Sequence, residues 1–455
     1  MATILRPPGP KGVPLLGNLP DFGRDTLGFL TQCAREYGDI VSLRLGGWPT
    51  LLISHPEFAE YVLVKHHRNF VKNTFFWRHV RRLFGTGLLT NEGDSWLSQR
   101  RLAAPAFHTQ RLNSYAEVMV GYTERMLEQW SDGEVRDLHE DMMGLTMRIA
   151  AKTLFDADVT EDVEEVDRAV EAVLHEIAAR FRRPVFVPDL VPIPGNIRYL
   201  RGIRRLDALV TRVIRSRMAS GEDRGDLLSM LLAARDDDGR GMSEQQLRDE
   251  VITLFLAGHE TTALTLSWTW HLLTQHPAVE AKLAAEVEEV VGERSPRLEE
   301  LPSLTYTEQV VKESMRLYPP AWAIGREAVE ACEIGGYPVP AGTTILISPW
   351  VIHRDPRFFD RPEEFLPERW SNGFEKDLPR FAYLPFGGGP RICIGNRFAM
   401  MEAVLLLATI TRCFRLVGQP DHPVVPYPTI TLRPEGGVRV KVARRDRVPS
   451  AETAA

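Results

Sequence analysis

Cysteine is scarce in this chain, with four residues among 455: Cys33, Cys332, Cys393 and Cys413. None is spaced as CxxC, which argues against a zinc knuckle, and so low a count argues against a disulfide framework. Long apolar runs are missing too. No stretch approaches the roughly 20 apolar residues a membrane span requires, and the opening residues lack a signal-peptide block. Basic excess is also absent: the formal net charge is -6, so nucleic acid is not an expected partner. Neither an internal repeat nor a Pro/Gly/Ser linker divides the sequence. The expectation is one domain over residues 1–455, soluble and cytoplasmic, with no membrane anchor. A Pro-rich lead-in covers 1–20 and a loose charged tail covers 446–455.

What is present is mostly helical periodicity, over 107–150, 160–182, 199–218, 243–275, 277–291, 305–318 and 396–412. Strand patterns cluster near the ends: a hairpin around Gly46-Gly47, a second hairpin around Gly436-Gly437, and the strand TTILIS after Gly342. The fold class predicted is mainly α with a small β region. Ser243 with Gln246, and Thr305 with Glu308, fit the capping box. The helix opened by Ser243 carries VITLFLAG, apolar on every side, which sends it through the core.

Cys393 stands apart from the other thiols because it lies in FGGGPRICIG, the tightest glycine turn of the chain. A thiol acts as ligand or nucleophile only as thiolate, and its pKa falls near a helix N-terminus. The run NRFAMMEAVLLLATI starts three residues later, Gly387, Gly388, Gly389 and Gly395 allow backbone N–H groups to approach, and Arg391 adds a cation. A phosphate-binding glycine loop is the competing reading. The full pattern Phe-x-x-Gly-x-Arg-x-Cys-x-Gly, however, would arise by chance on the order of once in ten thousand such chains.

That pattern resembles the haem-ligand loop of the cytochrome P450 family, where a Cys thiolate holds the iron. The resemblance makes Cys393 the metal ligand and packs Phe386 against the sulfur side. AGHETT, Ala257 to Thr262, resembles the family's oxygen-binding helix motif. Gly258 there removes a side chain from a buried helix, and Leu254, Gly258, Thr261 and Thr265 share one face. Glu260 must reach solvent, find a partner or shift its pKa upward. Thr261 either bonds back to a carbonyl one turn earlier or, by resemblance, orders bound oxygen while Glu260 links the proton relay to solvent. Ala257 and Gly258 would then line the gap over the iron. His259 is expected to be exposed or hydrogen-bonded, not a ligand.

KESMRLYPP with FLPERW resembles the family's structural triad, giving Glu313, Arg316 and Arg369. Taken alone, Glu313 and Arg316 at i, i+3 read as an exposed ion pair. Trp96 and Arg100 share a helix face and resemble the W-x-x-x-R pair that binds haem propionates; Arg391 and Arg326 are further candidates, Lys72 a weaker one. Position alone offers Leu89, Leu254, Ala321, Trp322 and Ile430 as substrate contacts, all apolar, with Trp322 narrowing the channel. The resemblance thus implies a haem-thiolate monooxygenase using haem b and O₂ on a hydrophobic guest such as a fatty acid, terpenoid or steroid. Electrons would come from a separate ferredoxin or flavodoxin with its NAD(P)H reductase, landing near Arg391 and Arg397. Alternatives are a peroxide-driven or rearranging haem-thiolate enzyme, and a non-catalytic haem sensor or carrier.

Overall fold

Gly46, at a φ of 63°, turns the chain between β1 (Ile40–Leu45) and β2 (Trp48–Ile53), which pair antiparallel as predicted. The computed structural model describes residues 6–445 apart from 157–168, 171, 174, 178, 181–186, 189, 190 and 236–238. The expected tail and much of the expected helix 160–182 therefore lie outside the described residues. Further strands are β3 (Phe70–Val71), β4 (Val135–Asp137), β5 (Ile324–Ala328), β6 (Cys332–Ile334), β7 (Tyr337–Val339), β8 (Thr344–Ile347), β9 (Phe414–Gly418), β10 (Val425–Pro428), β11 (Leu432–Glu435) and β12 (Arg439–Arg444). A five-stranded sheet runs β1-β2-β8-β5-β3, with β2 and β8 parallel.

The hairpin expected around Gly436-Gly437 does not form. β11 pairs with β10, whereas β12 pairs with β9 and β4. The two arms have different apolar faces to bury. Val440 and Val442 of β12 face the main core beside Phe414 and Leu416 of β9, so the glycines carry the chain from one sheet to another.

The principal helices are α1 (Gly93–Ala103), α2 (Thr109–Leu127), α3 (Leu138–Phe155), α4 (Pro194–Ser220), α5 (Glu244–Gln275), α6 (Pro277–Val290), α7 (Thr305–Leu317) and α8 (Asn396–Cys413). The single helix expected over 107–150 is thus two, interrupted at Gly133, whose φ is 83°, and by β4. α5, about 48 Å long at 1.5 Å per residue, crosses the molecule and packs against α3, α4, α7 and α8. Its capping box is present: Ser243 Oγ accepts the Gln246 N–H and Gln246 Oε1 accepts the Ser243 N–H. The box predicted at Thr305 is absent. Glu286 of α6 takes its place, accepting the Tyr306 N–H at 2.6 Å and the Thr307 N–H at 2.7 Å. A carboxylate from a neighbouring helix can cap as well as a local one, and no local spacing reveals it.

Candidate functional site

Gly387 and Gly389 take φ values of 70° and 66°, but Gly388 and Gly395 do not use the left-handed region. Gly388 is required by close approach instead, since a Cβ there would lie 2.0 Å from Phe381 Cε1. The Cys393 N–H closes the loop on Phe386 O at 3.0 Å, and the sulfur opens into a cavity of about 750 Å³ beside Phe386. Burial pushes the free Cys393 thiol up, outweighing the Gly395 N–H, Arg100 and Lys72, which pull it down. The expectation that the loop by itself acidifies the thiol is therefore corrected. Arg391, one of its three supports, turns away to Glu92. A thiol held protonated yet open to the cavity surrenders its proton to a metal ion, which fits a ligand better than a free nucleophile.

Among the described residues, five cations line the same cavity; Arg180 is paired with Glu176, and the other four are Lys72, Arg100, Arg326 and Arg391. Arg391 also donates to Asn91 O at 2.7 Å and lies 3.9 Å over the Trp96 ring, yet its Nη1 is buried without a partner. Lys72 Nζ donates to Leu89 O at 2.9 Å, and Arg326 Nη1 to the neighbouring Gly325 O at 2.9 Å. Arg100 sits 5.9 Å from the Trp96 ring, on the shared face of α1. Lys72, Arg100 and Arg326 have no carboxylate partner among the described residues. Burial, and then the neighbouring cations, push Lys72 well below its usual range and Arg326 down to about 10. Buried charge without a counterion costs several kcal/mol, about the penalty an arriving anion would relieve. A sulfur in one wall, an orphaned Arg391 Nη1 and three cations lacking a carboxylate fit a haem with its two propionates.

Across the cavity, Leu254, Gly258, Thr261 and Thr265 of α5 line the wall, as the spacing predicts, and so does Ala257. Gly258 does not create the space assigned to it. A Cβ there would point at α3, 3.6 Å from Leu154 Cδ1 and 3.8 Å from Ala150 Cβ, in ordinary contact, and α5 continues without a bulge. Thr261 Oγ1 donates back to Ala257 O at 2.8 Å. Glu260 found a partner. Its Oε1 accepts from Arg433 Nε at 2.9 Å, Arg433 Nη2 at 2.6 Å and Thr431 Oγ1 at 2.8 Å. Burial alone would raise its pKa, but the Arg433 charge and these bonds hold it below the usual carboxylate range. Its bonds run to the C-terminal strand; none runs to Thr261. His259 is neither exposed nor in the cavity wall. It is fully buried beside Phe255, and desolvation pushes it down to about 4, so it stays neutral.

Glu313 and Arg316 are fully buried, which overturns the surface-pair reading. Arg316 Nε and Nη2 each meet a Glu313 oxygen at 2.9 Å, and its remaining donors reach the carbonyls of His353, Pro362 and Glu364. Arg369 Nε, Trp370 Nε1 and the Leu366 N–H complete the carboxylate's shell. His353 then accepts the Leu384 N–H at 2.9 Å, two residues before the cysteine loop begins. The triad therefore braces the loop from behind and has no place in the cavity wall.

Leu89, Leu254, Ala321, Trp322 and Ile430 all line the cavity. Trp322 is less free than expected, its indole N–H held by Thr429 O at 3.0 Å and its ring buried in the core cluster that also contains Trp268. The landing role offered to Arg391 fails because its guanidinium is buried, while Arg397 is exposed. Sequence reading missed Arg433, Thr431 and Glu92. It also missed Asp249 and Glu250, which accept the Thr86 and Leu88 N–H groups and so place the Leu89 loop. These pairs join distant parts of the chain, and only the polar alternation of TITLRPEGG hinted at one of them.

The cytochrome P450 family model matches residues 7–442. Cyclooctatin synthase of Streptomyces melanosporofaciens is 41% identical over 93% of this chain and 92% of its own. Cyclooctat-9-en-7-ol 5-monooxygenase of the same organism is 40% identical over 90% of this chain and 89% of its own. Pentalenene oxygenase of Streptomyces avermitilis is 34% identical over 97% and 98%. Among solved structures, a retinoic acid-bound cyanobacterial CYP120A1 superposes with a TM-score of 0.87 at 28% identity, covering 97% of this chain and all of that one.

Proposed function

The chain belongs to the cytochrome P450 family and is a haem- and O₂-using monooxygenase by that membership, and from this premise we propose that its guest is a terpenoid. The observation that carries the reading is one apolar cavity whose walls hold the Cys393 sulfur, the Glu260-Thr261 pair and the five apolar contacts named above. The relatives that act on cyclooctat-9-en-7-ol and pentalenene point from hydrophobic guests in general to terpenoids. No helix among the described residues is long and apolar enough to cross a membrane. A cytoplasmic location is part of the same proposal.

Haem, proposed to be haem b, would supply the redox chemistry of O₂ at an iron held by the Cys393 thiolate. The protein does the rest. Cys393 would hold the group, while Arg100, Arg326, Arg391 and Lys72 would neutralise its propionates. Leu89, Leu254, Ala321, Trp322 and Ile430 exclude water and orient the guest. Thr261 can release Ala257 O and offer its hydroxyl to the cavity, and Glu260 can pass protons from outside. A ferredoxin or flavodoxin is the proposed electron donor, docking on the Arg397 side.

The test is turnover of a terpenoid panel with such a redox chain and NAD(P)H, set against peroxide alone. Oxidised terpenoid with matched reductant consumption supports the reading. Product from peroxide alone would favour the peroxide-driven alternative, and binding without consumption would favour a carrier. In Thr261→Ala, reductant should be consumed with peroxide released in place of product; full coupling in that variant removes Thr261 from the relay.

A further inference from the structure

The strand that supplies a substrate contact also grips the acid. Ile430 lines the cavity between Thr429 and Thr431, at a tight turn where the Thr429 N–H and hydroxyl both meet Thr431 O, at 2.8 and 2.7 Å. Alternation along the strand then sends Thr431 and Arg433 to one face and Leu432 to the other. Leu432 is fully buried, with its carbonyl taken by Trp268 Nε1 at 2.9 Å and its N–H given to Pro320 O at 2.9 Å. On the opposite face, Thr431 and Arg433 place three hydrogen bonds on Glu260, all of them on Oε1. Oε2 has no partner among the described residues, and Glu260 is part of the cavity wall. One oxygen is anchored and the other is left to take and give a proton.

We propose that Thr431 and Arg433 are positioning residues that fix Glu260 on the cavity wall and tie its proton transfer to the guest that touches Ile430. This rests on the monooxygenase reading above for its consequence, though the grip itself does not. Charged and titratable groups facing Glu260 are Arg433 from β11, His259 from α5 and His139 from α3, the last held by Ser267 Oγ at 3.1 Å. Both histidines are neutral near pH 7, desolvation pushing each down to about 4, so Arg433 is the cation that sets the charge of Glu260. A proton relayed from bulk solvent adds to Oε2; Glu260 then gives a proton to a water or hydroxyl at Thr261, which releases its own proton into the cavity, so Glu260 returns to its carboxylate and no charge is left on Thr261. A guest that shifts Ile430 moves Thr431 with it and so changes the hold on the acid one residue away.

Isotope-edited infrared spectroscopy of the haem-free chain at pH 7 reads the grip directly. The wild type should show no protonated-carboxyl stretch from Glu260, Arg433→Gln should show one, and adding Glu260→Gln should remove it. In the loaded enzyme, product formed per reductant should fall about tenfold in Arg433→Gln, recover in Arg433→Lys, and fall less in Thr431→Val. Should Arg433→Gln not fold, the Thr431→Val band and coupling decide the question. An unchanged infrared spectrum in Arg433→Gln, or coupling that Lys does not restore, overturns the proposal. If the wild type shows no reductant-linked turnover at all, the monooxygenase reading fails, while the infrared result still decides the grip.

Discussion

The Glu313–Arg316 pair and the group formed by Lys72, Arg100, Arg326 and Arg391 are both buried charge, yet the first is closed and the second is open. Around Glu313, each carboxylate oxygen and each Arg316 nitrogen has a partner within the chain. Around the cavity, Arg391 takes Glu92 as its ion-pair partner, Lys72, Arg100 and Arg326 have no such pair among the described residues, and Arg391 Nη1 has nothing to bond. A satisfied buried network braces the fold, whereas an unsatisfied one marks where something else must bind. The two differ in position as sharply as in bonding: one lies behind the cysteine loop, the other in front of it.

The largest effect should come from opening the closed cluster. Glu313→Ala strands a fully buried Arg316 and should destabilise the chain by about 3–5 kcal/mol in denaturant unfolding, with or without haem. A loss below about 1 kcal/mol would mean that the cluster is no brace. Removing a cation from the open group should spare the bare chain. Arg326→Leu should leave the haem-free protein as stable as the wild type, because like-charge repulsion and desolvation are relieved. Haem transfer to an acceptor protein should meanwhile become at least about tenfold easier, one charge-assisted bond being about 1.5–3 kcal/mol. Equal destabilisation of both forms would erase the distinction.

Acid provides a smaller and graded comparison. His353 in the closed cluster is pushed down to about 3 by burial and then by Arg316. Its folded value lies below its unfolded one, so the unfolded chain binds more protons and stability rises with pH. This contribution is complete above about pH 6.5 and is lost at about 1.4 kcal/mol per pH unit below it. His353→Gln should reduce that slope by one proton between pH 6 and 4, as read by unfolding at a series of pH values; an unchanged slope would show that His353 is not held neutral. The smallest effect belongs to Trp322→Ala, which should shift the product pattern and leave haem retention unaltered.

Much of this was legible in the residues. Cys393, the α5 motif and the Glu313-Arg316 spacing were all found where the structure brings them to a common cavity or behind it, because local pattern and chemistry coincide there. What escaped depends on contacts that no spacing encodes. Glu286 caps α7 from another helix, Arg433 answers Glu260 from 173 positions away, and the Gly436-Gly437 turn joins sheets instead of neighbouring strands. The cysteine loop itself shows the limit from the other side. Its glycines predicted an acidic thiol, but burial of the sulfur outweighs the backbone N–H and the nearby cations.

The central claim is that Cys393 holds the haem iron as a thiolate. The reduced, carbon monoxide-bound spectrum of the reconstituted protein tests it most directly. The wild type should give the red-shifted thiolate-type Soret band, and Cys393→Ser should lose it. A wild-type protein that binds haem yet shows an imidazole-type band, or a Cys393→Ser variant that keeps the thiolate band, would contradict the account.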